Sequence, residues 1–199
     1  GKVSVSCHTS LLSCLGVDRR LNWQSNGKRG LDDTKIFALG NSSGEYTTVS
    51  QAFKSTLPHM TVDSIERIEN GPQHELYSVH CSNLVRQIEL SGVAFHADTM
   101  IRLLFHGTSE EATLRIIHSS QAGFLPLLAG TKVGAIWGNG TYFARDAAYS
   151  HSYACTLVSG KKQMLVAEVV VGRMGTRCRW HESMPTAAWA GVPVLQLTL

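Results

Sequence analysis

Apolar and polar positions along the chain divide it into segments of two periods. The most continuous apolar run is Met164-Leu165-Val166-Ala167-Glu168-Val169-Val170-Val171, which predicts a strand over 163–171, central and covered on both faces. Ile101-Arg102-Leu103-Leu104-Phe105 predicts a second buried strand, and Thr141–Ala144 and Val192–Leu199 predict two short ones. Val62, Ile65 and Ile68 lie three apart, but β-branched residues dominate, so 61–70 reads as a strand. Helical spacing appears elsewhere. Val49, Ala52, Phe53 and Leu57 predict a helix capped by Thr47 or Thr48 and stopped by Pro58. Asn70-Gly71-Pro72 is a break, after which residues 73–90 carry apolar steps of three and four up to Gly92. Ser109 caps a helix over 110–119 with Glu110 and Glu111 in its first turn, and Asp146–Cys155 can form another. Leu125 to Gly134 is apolar but broken by Pro126, Gly130 and Gly134, which predicts a loop that covers something.

Residues 1–47 lack such periodicity. Turn formers crowd Asn22–Gly30 and Asn41-Ser42-Ser43-Gly44, the second reading as a linker. The expected organisation is an N-terminal appendage, or the tail of a preceding module, over 1–47 and one domain over 48–199.

Composition narrows the class. The 199 residues are 43% hydrophobic and 17% charged, enough for a sizeable core. The net charge of +3 comes from scattered residues, so nucleic acid is not indicated. Five cysteines at positions 7, 14, 81, 155 and 178 form no C-x-x-C pair, which predicts reduced, mostly buried thiols in an intracellular protein, cytoplasmic or nuclear. Nine histidines include no H-E-x-x-H array, so no metal site is expected. The apolar runs are too short for a membrane span, and the N-terminus lacks the apolar core of a signal peptide.

Two strand-like segments, 101–105 and 141–144, each end in glycines, aromatics and polar groups: His106-Gly107-Thr108, then Gly138-Asn139-Gly140-Thr141-Tyr142-Phe143-Ala144, then Tyr149-Ser150-His151-Ser152-Tyr153. In that order the three motifs resemble the catalytic domain of the poly(ADP-ribose) polymerase family, and more narrowly its mono-ADP-ribosyltransferase branch. Ile65-Glu66-Arg67-Ile68-Glu69-Asn70 with Leu76-Tyr77 is similar to the family's I-x-R-I-Q-N segment, and Val166–Val169 with Gly172-Arg173 to its core strand and turn. The resemblance covers roughly residues 48–175. It implies an α+β fold: a mixed, mostly antiparallel split sheet with flanking helices. The implied activity is transfer of one ADP-ribose unit from NAD to protein side chains.

Glycine allows a backbone to approach a flat amide closely, and a cationic pyridinium favours aromatic faces. The resemblance therefore implies that Gly107 offers its N–H and C=O to the nicotinamide carboxamide, with the Ser150 hydroxyl as an additional donor. Tyr142 and Tyr153 sandwich the ring, His106 binds a ribose 2′-hydroxyl, and Thr108 contacts the adenosine end. Phe143 and Ala144 complete the NAD-binding set, and the Gly134–Gly140 region closes over the ligand. The resemblance makes His106 and Tyr142 the core catalytic pair, and the family's third triad residue falls beyond residue 199 by its usual spacing, which implies a domain truncated at its C-terminal end. If instead Pro193-Val194-Leu195 stands in a shortened connection, the third position is Leu195. No Glu follows Glu182, so polymer formation is not expected. The alternatives are a catalytically silent NAD- or ADP-ribose-binding module and an interaction domain that keeps the fold.

Overall fold

In the computed structural model, strand β6 (Lys162–Val170) is the axis of the sheet, as its apolar run predicts. All its residues but the first are buried. The structure describes residues 23–24, 34–121, 123–124 and 141–171, together with the backbone of 186–187 and 194–198. Along the main sheet β1 (Thr34–Ala38), β2 (Ser64–Asn70), β8 (Val194–Thr198), β6 and β3 (Ile101–His106) lie side by side, and β5 (Cys155–Thr156) also pairs β6. Every pairing is antiparallel. A second sheet joins β4 (Tyr142–Phe143) to β7 (Thr186–Ala187). The split is bridged where Phe105 and Ala144 exchange backbone hydrogen bonds of 2.8 and 2.9 Å.

The period of two sorts the side chains of β6 onto opposite faces. Met164 and Val166 pack with Ile65, Phe105, and Val49 and Phe53 of helix α1 (Gly44–Lys54). Leu165, Ala167 and Val169 pack with Ile68, Leu104, and Ile116 and Ile117 of helix α4 (Glu110–His118). Val170 meets Tyr77, Cys81 and Val85 of helix α2 (Gly71–Leu90), while the Tyr77 hydroxyl donates to the buried Glu168 at 3.0 Å. Burial and then Glu168 push the Cys81 thiol up to about 11, so it stays protonated as a core residue. Short helices α3 (Ala97–Met100) and α5 (Ala147–His151) precede β3 and follow β4.

Three boundaries differ from expectation. Ser43, not Thr47 or Thr48, caps α1: its Oγ accepts from Tyr46 N at 3.2 Å. The two threonines lie inside the helix, where their hydroxyls donate back to the Ser43 and Gly44 carbonyls. Asn70-Gly71-Pro72 starts α2 rather than merely breaking the chain. Asn70 is the cap, accepting from Gln73 N at 3.1 Å, and Pro72 occupies the first turn, where its missing N–H costs nothing. Helix α5 is also shorter than 146–155, because the chain turns into β5 at Cys155.

Helix α1 straddles residues 47 and 48, and Thr34–Ala38 is the sheet's edge strand. Further upstream, Trp23 packs edge-on against His74 and Gln24 N donates to Glu69 at 2.8 Å. Glu69 belongs to a buried ion network in which Arg67 Nε reaches Glu69 at 3.0 Å and Arg67 Nη1 reaches Glu45 at 2.6 Å. The arginine of the I-x-R-I segment thus ties α1 to β2.

Candidate active site

The site forms where β3 leaves the main sheet and β4 begins the second one. His106 closes β3, and its Nδ1 lies 2.8 Å from the Tyr142 carbonyl oxygen. A carbonyl only accepts, so Nδ1 carries the proton and Nε2 of the neutral ring is an acceptor. Burial lowers the imidazole pKa, and the bond to Tyr142 opposes that shift without cancelling it. The ring is packed by Phe124 at 5.3 Å and Phe143 at 5.4 Å between centroids.

Gly107 follows in a position that excludes any side chain. A Cβ there would collide with the Ser150 carbonyl oxygen and lie 2.9 Å from both Ala154 N and Tyr153 C. The α5 backbone thus passes directly beside the H-G-T turn. Two further bonds fix that approach: Cys155 N donates to Thr108 O at 3.1 Å, and Ser150 Oγ donates to Phe105 O at 2.9 Å. The second bond gives the Ser150 hydroxyl a backbone partner. There the hydroxyl proton points to Phe105 O, and the oxygen's lone pairs are left to accept.

The tyrosines lie on the α5 side. Tyr149 and Tyr153 contact each other at 5.5 Å with rings inclined by 44°. The Tyr149 phenol is raised above its ordinary pKa, first by its hydrogen bond with Tyr153, then by burial and by the nearby Tyr153 and Tyr142. Tyr149 was not among the expected contacts, although its place four residues before Tyr153 is a spacing at which side chains meet across one turn. Phe124 and the buried amides of Asn70 and Gln73 were missed as well, for the sequence offers no local pattern that connects them to His106.

Some expected contacts take other places. Phe143 and Ala144 are each 1% exposed and turn inward. Phe143 backs the His106 ring, and both backbone groups of Ala144 are held by Phe105, so these two shape the site from behind instead of facing a ligand. Residues 125–140, including the expected covering loop with Gly134, Gly138 and Gly140, lie outside the described residues. Position 195 pairs with Arg67 and Val166, and Val166 in turn with Phe105. His106 stands one row over, opposite Leu165, which pairs with position 196. Adjacent rows use opposite faces of a sheet, and β6 separates β8 from β3. The register therefore sets position 195 in the core row of Phe105.

Among the described residues no group of three or more His, Cys, Asp or Glu side chains could hold a metal ion. Nor is any described helix long and apolar enough to cross a membrane.

Comparison with known proteins settles what this arrangement belongs to. Residues 43–185 match the family model of the poly(ADP-ribose) polymerase catalytic domain. The chain belongs to that family. It is similar to the protein mono-ADP-ribosyltransferase PARP12 of Homo sapiens, 37% identical over 150 residues, which cover 75% of this chain and 20% of the relative. The Mus musculus PARP12 is 36% identical over 138 residues, covering 69% and 18% respectively. The human mono-ADP-ribosyltransferase PARP11 is 35% identical over 120 residues, 60% of this chain and 32% of that protein. The chain thus spans about a fifth of the length of the PARP12 relatives. The split antiparallel sheet with flanking helices is the family's ADP-ribosyltransferase fold.

Proposed function

We propose that this domain transfers a single ADP-ribose unit from NAD to a protein side chain and releases nicotinamide. The observation that carries the reading is the 2.8 Å bond that joins His106 to Tyr142 beside the side-chain-free Gly107. PARP12 and PARP11, named as mono-ADP-ribosyltransferases, support the choice of one unit over a polymer.

The chemistry breaks the bond between nicotinamide nitrogen and ribose C1′. Nicotinamide leaves with the bonding pair, an oxocarbenium-like centre develops at C1′, and a side chain of the protein substrate adds to it while losing its proton. The domain's task is to orient the ribosyl group and stabilise charge, with no covalent enzyme intermediate. Gly107 offers its backbone to the carboxamide, and Ser150 Oγ accepts from the amide N–H. Tyr142 and Tyr153 supply aromatic faces to the ring, with Tyr149 bracing Tyr153. His106, held neutral by its lowered pKa, accepts a ribose hydroxyl proton at Nε2. Thr108 continues the wall toward the adenosine end. Position 195 takes no part in this reading.

The register at position 195 favours a second reading, a module that binds NAD without turnover. The two separate in one experiment, incubation with NAD labelled in its adenylate phosphate, with and without His106→Ala. Label on protein that disappears with the substitution supports the transferase. No label, with an NAD-dependent rise in melting temperature, gives the silent module. Neither label nor thermal response leaves an interaction domain that only keeps the fold. Partners are accordingly NAD and protein substrates, and an intracellular site, where NAD is available, suits the activity.

A further inference from the structure

Helix α4 ends in carbonyls with no partners within the helix, as every helix does. Here two side-chain amides from the start of α2 take them up. Asn70 Nδ2 donates to Ile117 O at 3.0 Å and Ser119 O at 2.9 Å, and Gln73 Nε2 donates to Ile116 O at 2.5 Å and Ser119 O at 2.9 Å. Gln73 is buried, and its Oε1 has no partner among the described residues. Just beyond, Gly123 passes so close that a Cβ would stand 2.6 Å from Ile116 O and 3.0 Å from Gln73 Nε2. The next residue is Phe124, whose ring stands perpendicular (89°) to the His106 imidazole and contacts Phe143 at 5.0 Å.

The imidazole is therefore held from two directions. Its Nδ1 bond and its Phe143 contact both come from β4. Phe124 reaches it from the segment that follows α4. We propose that the Asn70–Gln73 amide clamp and Phe124 form a positioning device for His106, fixing the rotation of its ring and so the direction in which Nε2 faces NAD. This rests on the reading of His106 as a ribose-contacting residue. It adds that Asn70, at the end of β2 and far along the chain, acts on the site through the end of α4.

The test uses the full chain with Phe124→Leu, Gln73→Leu, Phe124→Tyr and His106→Ala. The readouts are the melting temperature, the NMR titration of the His106 ring, and KM and kcat for NAD. Gln73→Leu removes the amide donors together with the unpartnered oxygen, so it is the second route to the same release if Phe124→Leu fails to fold. With the clamp or the ring lost, the His106 pKa moves up toward the ordinary histidine value and KM for NAD rises about two- to tenfold, with kcat little changed. Phe124→Tyr, which keeps the ring, restores both. A folded Phe124→Leu or Gln73→Leu protein with wild-type His106 titration and wild-type KM overturns the proposal, since mere packing would lower only the melting temperature. If His106→Ala leaves KM unchanged, the site reading itself fails, and the imidazole titration alone then decides whether the clamp positions the ring.

Discussion

Gly107→Ala is the sharpest perturbation the site allows. The added methyl would meet three atoms, the Ser150 carbonyl oxygen, Ala154 N and Tyr153 C, and all three belong to backbone. A flexible side chain could swing aside at little cost, whereas backbone must move as a piece. Here the piece is the end of α5, already tied by Tyr153 N to Ser150 O at 3.0 Å and by Cys155 N to Thr108 O at 3.1 Å. Overpacking a well-filled site costs about 1–3 kcal/mol, and rigid neighbours place this case near the upper end. For a chain of this length each kcal/mol lowers the melting temperature by roughly 2–4 °C, so a fall of about 6–12 °C is expected. The same displacement would push Ser150 and Tyr153 away from the H-G-T turn.

The assay is thermal unfolding with and without NAD, with Gly40→Ala as control, because a Cβ at Gly40 meets nothing within 4 Å. The control should melt with the wild type and keep its response to NAD. Gly107→Ala should melt lower and lose that response even at temperatures where it is folded. A Gly107→Ala protein that melts within about 2 °C of wild type would refute the close packing of α5 on the turn. If it melts lower yet responds to NAD as before, the packing stands and the role of Gly107 in NAD binding falls.

Burial makes the folded His106 harder to protonate than the same residue in the unfolded chain, whose pKa is near 6.5. The unfolded state then takes up the proton first, so this contribution to stability is complete above 6.5 and is lost as pH falls through the lowered folded pKa. NAD affinity should follow the same sign, because protonation turns the Nε2 acceptor into a donor; binding measured by calorimetry at a series of pH values should weaken on the acid side, and His106→Gln should abolish that limb. Arg67→Met removes the guanidinium from two buried or half-buried carboxylates, Glu45 and Glu69, and should cost about 3–5 kcal/mol in denaturant unfolding. Arg67→Lys should recover only part, since one ammonium cannot reproduce the forked guanidinium contacts; full recovery would show that charge alone matters there. Tyr77→Phe removes the buried 3.0 Å bond to Glu168 and should cost about 1–3 kcal/mol, read in the same way, with NAD binding unaffected.

The sequence revealed those features that depend on local period and left obscure those that depend on long-range contact. Strands β3 and β6 and helix α4 could be read directly, because each buries a regular apolar pattern and Ser109 marks the start of α4. The helix starts at Ser43 and Asn70 were harder. Each lies in a cluster of turn formers, and which polar residue caps is decided by where the chain must pack, not by its composition. The same limit applies at the site. His106, Gly107, Tyr142, Ser150 and Tyr153 sit in short motifs, and the structure gathers the first four around one junction of the split sheet. Their roles, however, depend on partners remote in sequence. Ser150 spends its proton on Phe105, 45 residues away, and Asn70 reaches Ser119 across 49. Position 195 makes the point most clearly. A strand could be foreseen there from its apolar residues, but its face could not, because a shift of one residue in register moves every side chain to the other side. Only the pairing with Val166 places it in the row of Phe105, one row away from that of His106.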